Sequence, residues 1–485
     1  MAINTATAVN SATAPPPGPP VGLDRARLQR QVKDHLLLNF TDMSEFATSD
    51  VRVFVRGDGC YVVDADGRRA IDGISGLFCS NLGHGYGEEV GRAAHEQLAT
   101  LVFTPSWYIT NPVAAALAER LSEVSGALDL HRVFLTSGGG EANEAMYKLV
   151  RQYHAAHGQP QRRKAISRRL AYHGTSLGAL SLTGLPYCRT MFEPLPIQTA
   201  FVSNTNAYRH PLGQDEEAFT AHLLAEIEAA IEWEGPDTVA LVIAEPVQNS
   251  GGSFTPPKGY WAGLRAICDK YGILLVADEV ITGFGRVGDW FASLRYQARP
   301  DLVVFAKGVT AGMAPLGGVL ISDKVAEPFV TGTMFQHGLT YGGHPMTAAV
   351  ALKVLEIYER DGVIDNVRAN EPYLREALNQ LRRVPLVGDV RGAGYFWSVE
   401  MVKDRDTKET FEGAEADWLL RDVLTEQMVK RGLLCRLDDR GDPVIQLSPP
   451  LVADRAVLDE MVGIVGQALE AAWSAFQAGI PAASS

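Results

Sequence analysis

The chain has 485 residues, of which 46% are hydrophobic, and a formal net charge of -13. That length suits two domains with ample core material, and the acidic balance argues against nucleic acid or an anionic membrane surface as a partner. No apolar run is long enough to span a bilayer. The five cysteines, Cys60, Cys79, Cys188, Cys268 and Cys435, form no CxxC or similar pairing. An odd count without a secretion signal predicts reduced thiols and a cytoplasmic protein.

Residues 1–22 are rich in Ala, Thr, Asn, Ser and Pro and predict a disordered tail, not a signal peptide. Leu23 to Leu38 has the spacing of an amphipathic helix. Val51 to Val55 and Cys60 to Asp64 predict a β-hairpin turning at Gly57-Asp58-Gly59. Residues 23–75 form this N-terminal segment, which is assigned to the smaller domain. A glycine-dense block follows, Asp72 to Tyr86, of the kind that lets a backbone approach a ligand.

Short apolar strands then alternate with longer helical stretches. The predicted strands are Val133–Thr136, Ala165–Leu170, Ala200–Ser203, Val239–Ala244, Ile273–Ala277, Leu302–Ala306 and Gly318–Ile321. Several are apolar on both faces, as strands buried between helix layers should be. This rhythm predicts an α/β domain over 76–345 with a mostly parallel sheet. From Ala348 a long helix opens a smaller α+β region, 346–485, with further patterns at Val390–Met401, Asp417–Gly432 and Asp454–Gln477.

Ligands of such sheets sit at the carboxyl ends of the strands, and these ends carry the chemistry. Val133–Thr136 runs into Ser137-Gly138-Gly139-Gly140 and a helix, a cradle for phosphate made of backbone N–H groups and the helix dipole. The loop is neither a Walker A loop nor GxGxxG. Leu170 leads to Tyr172, an aromatic that either covers a flat ring or packs in the core. Ala244 leads to Glu245, Ala277 to Asp278, and the strand Leu302–Ala306 to Lys307, followed at once by Gly308, which would let the backbone turn and carry the amine into a cleft. A lysine there is either a surface residue or a Schiff-base nucleophile whose pKa falls on burial. Two carboxylates and an amine at the ends of apolar strands are costly to bury unless paired or functional. No metal-ligand pattern accompanies them.

An acid at Asp278 and an amine at Lys307 point to pyridoxal phosphate, which has an aldehyde, a ring nitrogen and a phosphate. Here the sequence resembles the class III pyridoxal-phosphate aminotransferases of fold type I. The matching stretches are Ser137–Asn143, Tyr172-His173-Gly174, Ala244–Gln248, Ala277–Val280 with Gly283–Arg286, Phe305–Gly308 and His337–Pro345. Their order and spacing match, over most of Leu23 to Gln477. Asp72–Tyr86, Thr340–Pro345, Leu434-Cys435-Arg436 and Ser448–Leu451 look most like the omega-amine:pyruvate transaminases.

The resemblance implies a seven-stranded, mostly parallel sheet and a set of roles. Lys307 would bond the cofactor aldehyde and, once displaced, shuttle the proton. Asp278 would hold the ring nitrogen protonated. Gly139 and Gly140 would offer backbone N–H groups to the phosphate, and Thr340 would reach it from a neighbouring subunit, which requires a homodimer with shared sites, or dimers paired into a tetramer. Tyr172 and Val280 would lie on opposite faces of the ring. Gly140 departs from the family, which commonly has a serine there. Arg436 matches an arginine that binds substrate carboxylate, with Arg440 as a competitor. Glu245 would hold that arginine or bind the sheet edge. Phe78 would meet the substrate or pack in the core. The implied reaction moves an amino group from an amine or omega-amino acid to pyruvate. Transfer to 2-oxoglutarate, and decarboxylase or aminomutase chemistry, share the same lysine and aspartate.

Overall fold

The computed structural model of the protein describes residues 24–480, so the predicted tail over 1–22 lies outside the described residues. Three sheets organise them. The central one has seven strands: β4 (Leu130–Thr136), β5 (Lys164–Arg168), β6 (Thr199–Val202), β7 (Val239–Ala244), β8 (Leu274–Asp278), β9 (Leu302–Phe305) and β10 (Gly317–Ser322). Their order is β4-β10-β9-β8-β7-β5-β6. Only β10 runs against its neighbours, β4 and β9. The α/β reading and the mostly parallel seven-stranded sheet are both present.

Side-chain alternation explains why the central strands are apolar throughout. Leu241, Ile243, Leu274, Val276, Leu302 and Val304 point into one apolar cluster. Val242, Ala244, Leu275, Ala277, Val303 and Phe305 point into another, on the opposite face. Burying each Val, Leu or Ile contributes about 1.5–3 kcal/mol. A polar residue on these strands would therefore face apolar surroundings on either side. The ends of the strands are the first positions where one can stand.

Two smaller sheets flank this core. β1 (Phe54–Asp58), β2 (Tyr61–Asp64) and β3 (Arg69–Asp72) form a meander, completed by β13 (Leu433–Leu434) parallel to β3. The antiparallel order β11-β12-β15-β14 joins Val387–Ala393, Phe396–Met401, Val444–Leu447 and Arg436–Asp438. The N-terminal segment thus shares a sheet with residues more than 350 positions away, and β14 begins two residues after β13 ends.

Local differences from the sequence reading have local causes. The hairpin turns at Gly59-Cys60, one step later than expected, because Asp58 still pairs with Tyr61. The first helix spans Arg25–His35 and buries none of its residues in the single chain. β5 stops at Arg168, and Leu170 has a left-handed φ of 66°.

Arg286 ties the segments together. It is fully buried, and its guanidinium donates to the Tyr395 and Pro449 carbonyls, to Ser75 Oγ and to Asn81 Oδ1. No carboxylate among the described residues pairs with it, and burial pushes its pKa down to about 10. Four acceptors from three distant stretches are satisfied by one side chain, so Arg286→Leu leaves them orphaned. The expected loss is about 3 kcal/mol or more. A urea denaturation midpoint within error of the parent would contradict this.

Candidate active site

Lys307 follows β9, whose four residues are fully buried. The chain turns here through Lys307 itself, whose φ is +44°. This corrects the sequence reading, which gave that freedom to Gly308. Such a conformation costs about 1–3 kcal/mol in a residue with a side chain and persists only where the surroundings enforce it. Gly308 has a different duty. A Cβ there would lie 2.6 Å from Asn81 Nδ2 and 3.0 Å from Phe284 Cβ. The Gly308 carbonyl accepts from the Tyr358 hydroxyl at 2.6 Å. Packing behind Gly308 therefore holds Lys307 in its turn and directs the amine into the cleft. Burial is the largest influence on that amine and holds it below the ordinary lysine range, against the pull of Cys79, Asp278 and Glu245.

Asp278 ends β8 and pairs in register with Val304 of β9. It is 4% exposed. Oδ2 meets His173 Nδ1 at 2.7 Å and accepts from Asn143 Nδ2 at 3.1 Å, and Oδ1 accepts from the Val280 N–H at 3.1 Å. No lysine or arginine pairs with it among the described residues. His173 and Asn143 both stand in the motifs quoted above, but sequence reasoning assigned neither a role. Their convergence on one carboxylate depends on β5, β8 and the helix Gly139–Ala156 meeting at the same end of the sheet.

That helix has 18 residues and begins at Gly139 with no side-chain cap. A Cβ on Gly139 would sit 3.1 Å from Val280 Cγ2, so backbone and valine are in close approach. At Gly140 the nearest atom to such a Cβ is Ser176 Oγ, 3.8 Å away, so the missing serine side chain is not excluded by crowding. The cradle thus offers bare N–H groups beside Val280 and behind Asp278. Thr340 stands apart: it is exposed in the single chain and does not line the cleft.

A cavity of about 1320 Å³ opens from Lys307 past Phe78 and Tyr172 to Arg436 and Arg440. Phe78 packs in the core and also borders the cavity. It is 1% exposed and packs edge-on against Phe396, yet its ring centroid lies 5.6 Å from Lys307 Nζ. Its φ of +60° and that of Ser75, +49°, mark a tightly wound loop under the cleft. Glu245 corrects one expectation. It makes no ion pair with Arg436. Instead its carboxylate accepts the Tyr172 N–H at 3.3 Å and the Asn249 N–H at 3.0 Å, and burial raises its pKa. Arg436 lies 3.7 Å from Asp438, which is bound by Arg440.

A lysine, an aspartate and an open helix start at the carboxyl ends of one sheet define a pyridoxal-phosphate enzyme of fold type I. Residues 45–469 match the model for class III aminotransferases. The chain belongs to this pyridoxal-phosphate-dependent family. It is 48% identical over 418 residues to a probable aminotransferase of Mycobacterium tuberculosis, covering 86% of this chain and 89% of that one. It is 37% identical to a putrescine–pyruvate aminotransferase of Pseudomonas aeruginosa, covering 90% and 94%. It is also 37% identical to a diaminobutyrate–2-oxoglutarate transaminase of Halomonas elongata, covering 87% and 91%. Among solved structures, an (S)-enantioselective omega-transaminase from Thermomicrobium roseum superimposes with a TM-score of 0.87 at 41% identity, over 93% of this chain and 99% of that one.

The packing behind Lys307 is open to test. Gly308→Ala is expected to destabilise the protein by about 1–3 kcal/mol through overpacking against Asn81 and Phe284. It should also lower turnover, because Lys307 is displaced. Unchanged stability together with unchanged turnover would show that Gly308 does not position the lysine.

Proposed function

We propose that this aminotransferase takes an amino group from an amine or omega-amino acid and gives it to pyruvate, forming alanine and an aldehyde or ketone. The observation that carries this reading is Arg436. Its guanidinium lines the cavity and has no hydrogen-bond acceptor among the described residues, so it can receive the carboxylate of a 2-oxo acid. The apolar walls at Phe78 and Leu77 leave room for a donor with no carboxylate. The putrescine–pyruvate relative supports pyruvate as acceptor. The diaminobutyrate–2-oxoglutarate relative keeps 2-oxoglutarate as the second reading.

The residues present fit pyridoxal phosphate. Asp278 is a buried carboxylate without a lysine or arginine partner, so a protonated ring nitrogen would supply its missing counter-charge. The uncapped start of the helix Gly139–Ala156 suits a phosphate. When bound, the cofactor supplies an aldehyde for an amine and a ring that accepts electrons. Lys307 would hold that aldehyde, and its Nζ, when not bonded to it, would be the group that moves the proton of the amine-bearing carbon. Burial lowers the pKa of Nζ, which favours the neutral form that can accept a proton. Asp278 would keep the proton on the ring nitrogen, with its carboxylate fixed by His173 and Asn143. Tyr172 and Val280 would flank the ring, and Gly139 and Gly140 would bind the phosphate. Thr340 would complete the phosphate site of a second copy in a homodimer. In this reading 76–345 is the cofactor-binding domain. Residues 23–75 join 346–485 in the smaller one, as the pairing of β13 with β3 supports.

Lys307→Ala is expected to abolish the visible absorbance of the bound cofactor and to reduce turnover by about 10²–10⁴-fold or more. Normal turnover in that variant would overturn the assignment. In a panel of acceptors with one amine donor, pyruvate should give the higher kcat/KM. A preference for 2-oxoglutarate would select the second reading. Arg436→Ala should raise KM for 2-oxo acids while sparing carboxylate-free amines, and equal losses on both would assign Arg436 a structural role.

A further inference from the structure

Arg436 does not stand alone at the far end of the cavity. β14 runs Arg436-Leu437-Asp438, so alternation puts the side chains of Arg436 and Asp438 on the same face of the strand. Arg440 follows two residues later, and all three side chains line the cavity. Among the described residues Asp438 is the one carboxylate in contact with both guanidiniums.

The sharing is unequal. Asp438 is nearly fully buried, and Arg440 takes both of its oxygens. Oδ1 accepts from the Arg440 N–H at 3.1 Å and from Arg440 Nε at 2.7 Å, while Oδ2 accepts from Arg440 Nη2. Arg436 reaches Oδ2 only at 3.7 Å, beyond hydrogen-bond distance, through Nε. The side chain of Arg440 is 8% exposed and that of Arg436 is 31% exposed. One arginine is locked, and the other is left facing the cavity. A carboxylate one strand-repeat from Arg436 would otherwise be its natural partner, since a fork-to-fork pair is the strongest geometry open to both.

We propose that Arg440 is a specificity-determining positioning residue. By occupying both oxygens of Asp438 it prevents that carboxylate from capturing Arg436, and so keeps Arg436 free for the carboxylate of a 2-oxo acid. The proposal rests on the reading of Arg436 given above. In this arrangement Asp438 is an internal rival of the substrate, and Arg440 is the group that suppresses it. Arg440 itself touches no substrate. The surplus of one positive charge in the cluster favours an anionic acceptor.

The test compares acceptors that differ by a carboxylate. Holoenzyme KM values are measured for pyruvate and for 2-oxoglutarate, each against propanal, with one amine donor. Arg440→Gln is expected to raise KM for the 2-oxo acid by about tenfold or more, the scale of close charge-pair coupling, and to leave propanal unchanged. Adding Asp438→Asn to Arg440→Gln removes the rival and should restore the 2-oxo acid KM to within about twofold of the parent. A loss shared equally by propanal, an unchanged 2-oxo acid KM, or a double variant as poor as Arg440→Gln would each overturn the proposal. Should Arg440→Gln not accumulate as folded protein, Arg440→Lys is measured instead. Its ammonium matches only one Asp438 oxygen well, so an intermediate, acid-selective rise is expected, and no rise would overturn the proposal. Arg436→Ala separates the two levels. If it spares the 2-oxo acids, the reading of Arg436 fails. If it hurts them selectively while Arg440→Gln does not, only the role of Arg440 fails.

Discussion

Three ionisable side chains stand at the carboxyl ends of three adjacent apolar strands, and much of the structure follows from keeping them there. Glu245, Asp278 and Lys307 succeed β7, end β8 and succeed β9. Burying charges against apolar layers is unfavourable unless each finds a partner. The molecule treats each differently. Glu245 is held by backbone N–H groups, Asp278 by His173, Asn143 and the Val280 N–H, and Lys307 has no ion pair among the described residues. The two carboxylates are hydrogen-bonded, but Asp278 has no lysine or arginine as counter-charge among the described residues. An aldehyde that bonds Lys307 and a ring cation that meets Asp278 would complete what the fold leaves incomplete.

The positions of these groups are enforced from behind. Gly308 allows Asn81 and Phe284 to press close, which holds Lys307 in a left-handed conformation. Asn81 is fixed in turn by Arg286, which also reaches Ser75 on the other side of Phe78. The loop that carries Phe78 and the turn that carries Lys307 therefore share one hydrogen-bonded support. That support draws on stretches near residues 75–81, 284–308, 395 and 449, so the cleft depends on the N-terminal and C-terminal parts of the chain packing against the central sheet. The family's reaction needs an amine placed with sub-ångström tolerance, and buried hydrogen bonds from several directions provide it.

The substrate end of the cavity follows another logic. Around Lys307 the protein removes freedom. Around Arg436 it preserves freedom, by satisfying Asp438 elsewhere. The Arg436 guanidinium is left partly exposed to the cavity and without a hydrogen-bond acceptor among the described residues.

Much of the site was legible in the chain itself. The seven strands could be placed from short apolar runs, and the middle three, β7, β8 and β9, are buried on both faces, because strands covered by two layers tolerate no polar residue until they end. For the same reason the chemistry had to appear at the ends, and Asp278, Lys307 and the glycine-rich helix start were visible there. Tertiary structure decided what pattern could not. It brought His173 and Asn143 onto Asp278, put the turn expected at Gly308 on Lys307 itself, turned Glu245 away from Arg436 and gave Asp438 to Arg440. Each of these depends on which of several competing groups lies within about 3 Å of another. Periodicity fixes the face on which a side chain emerges, whereas its partner is set by how strands, loops and distant segments converge in space.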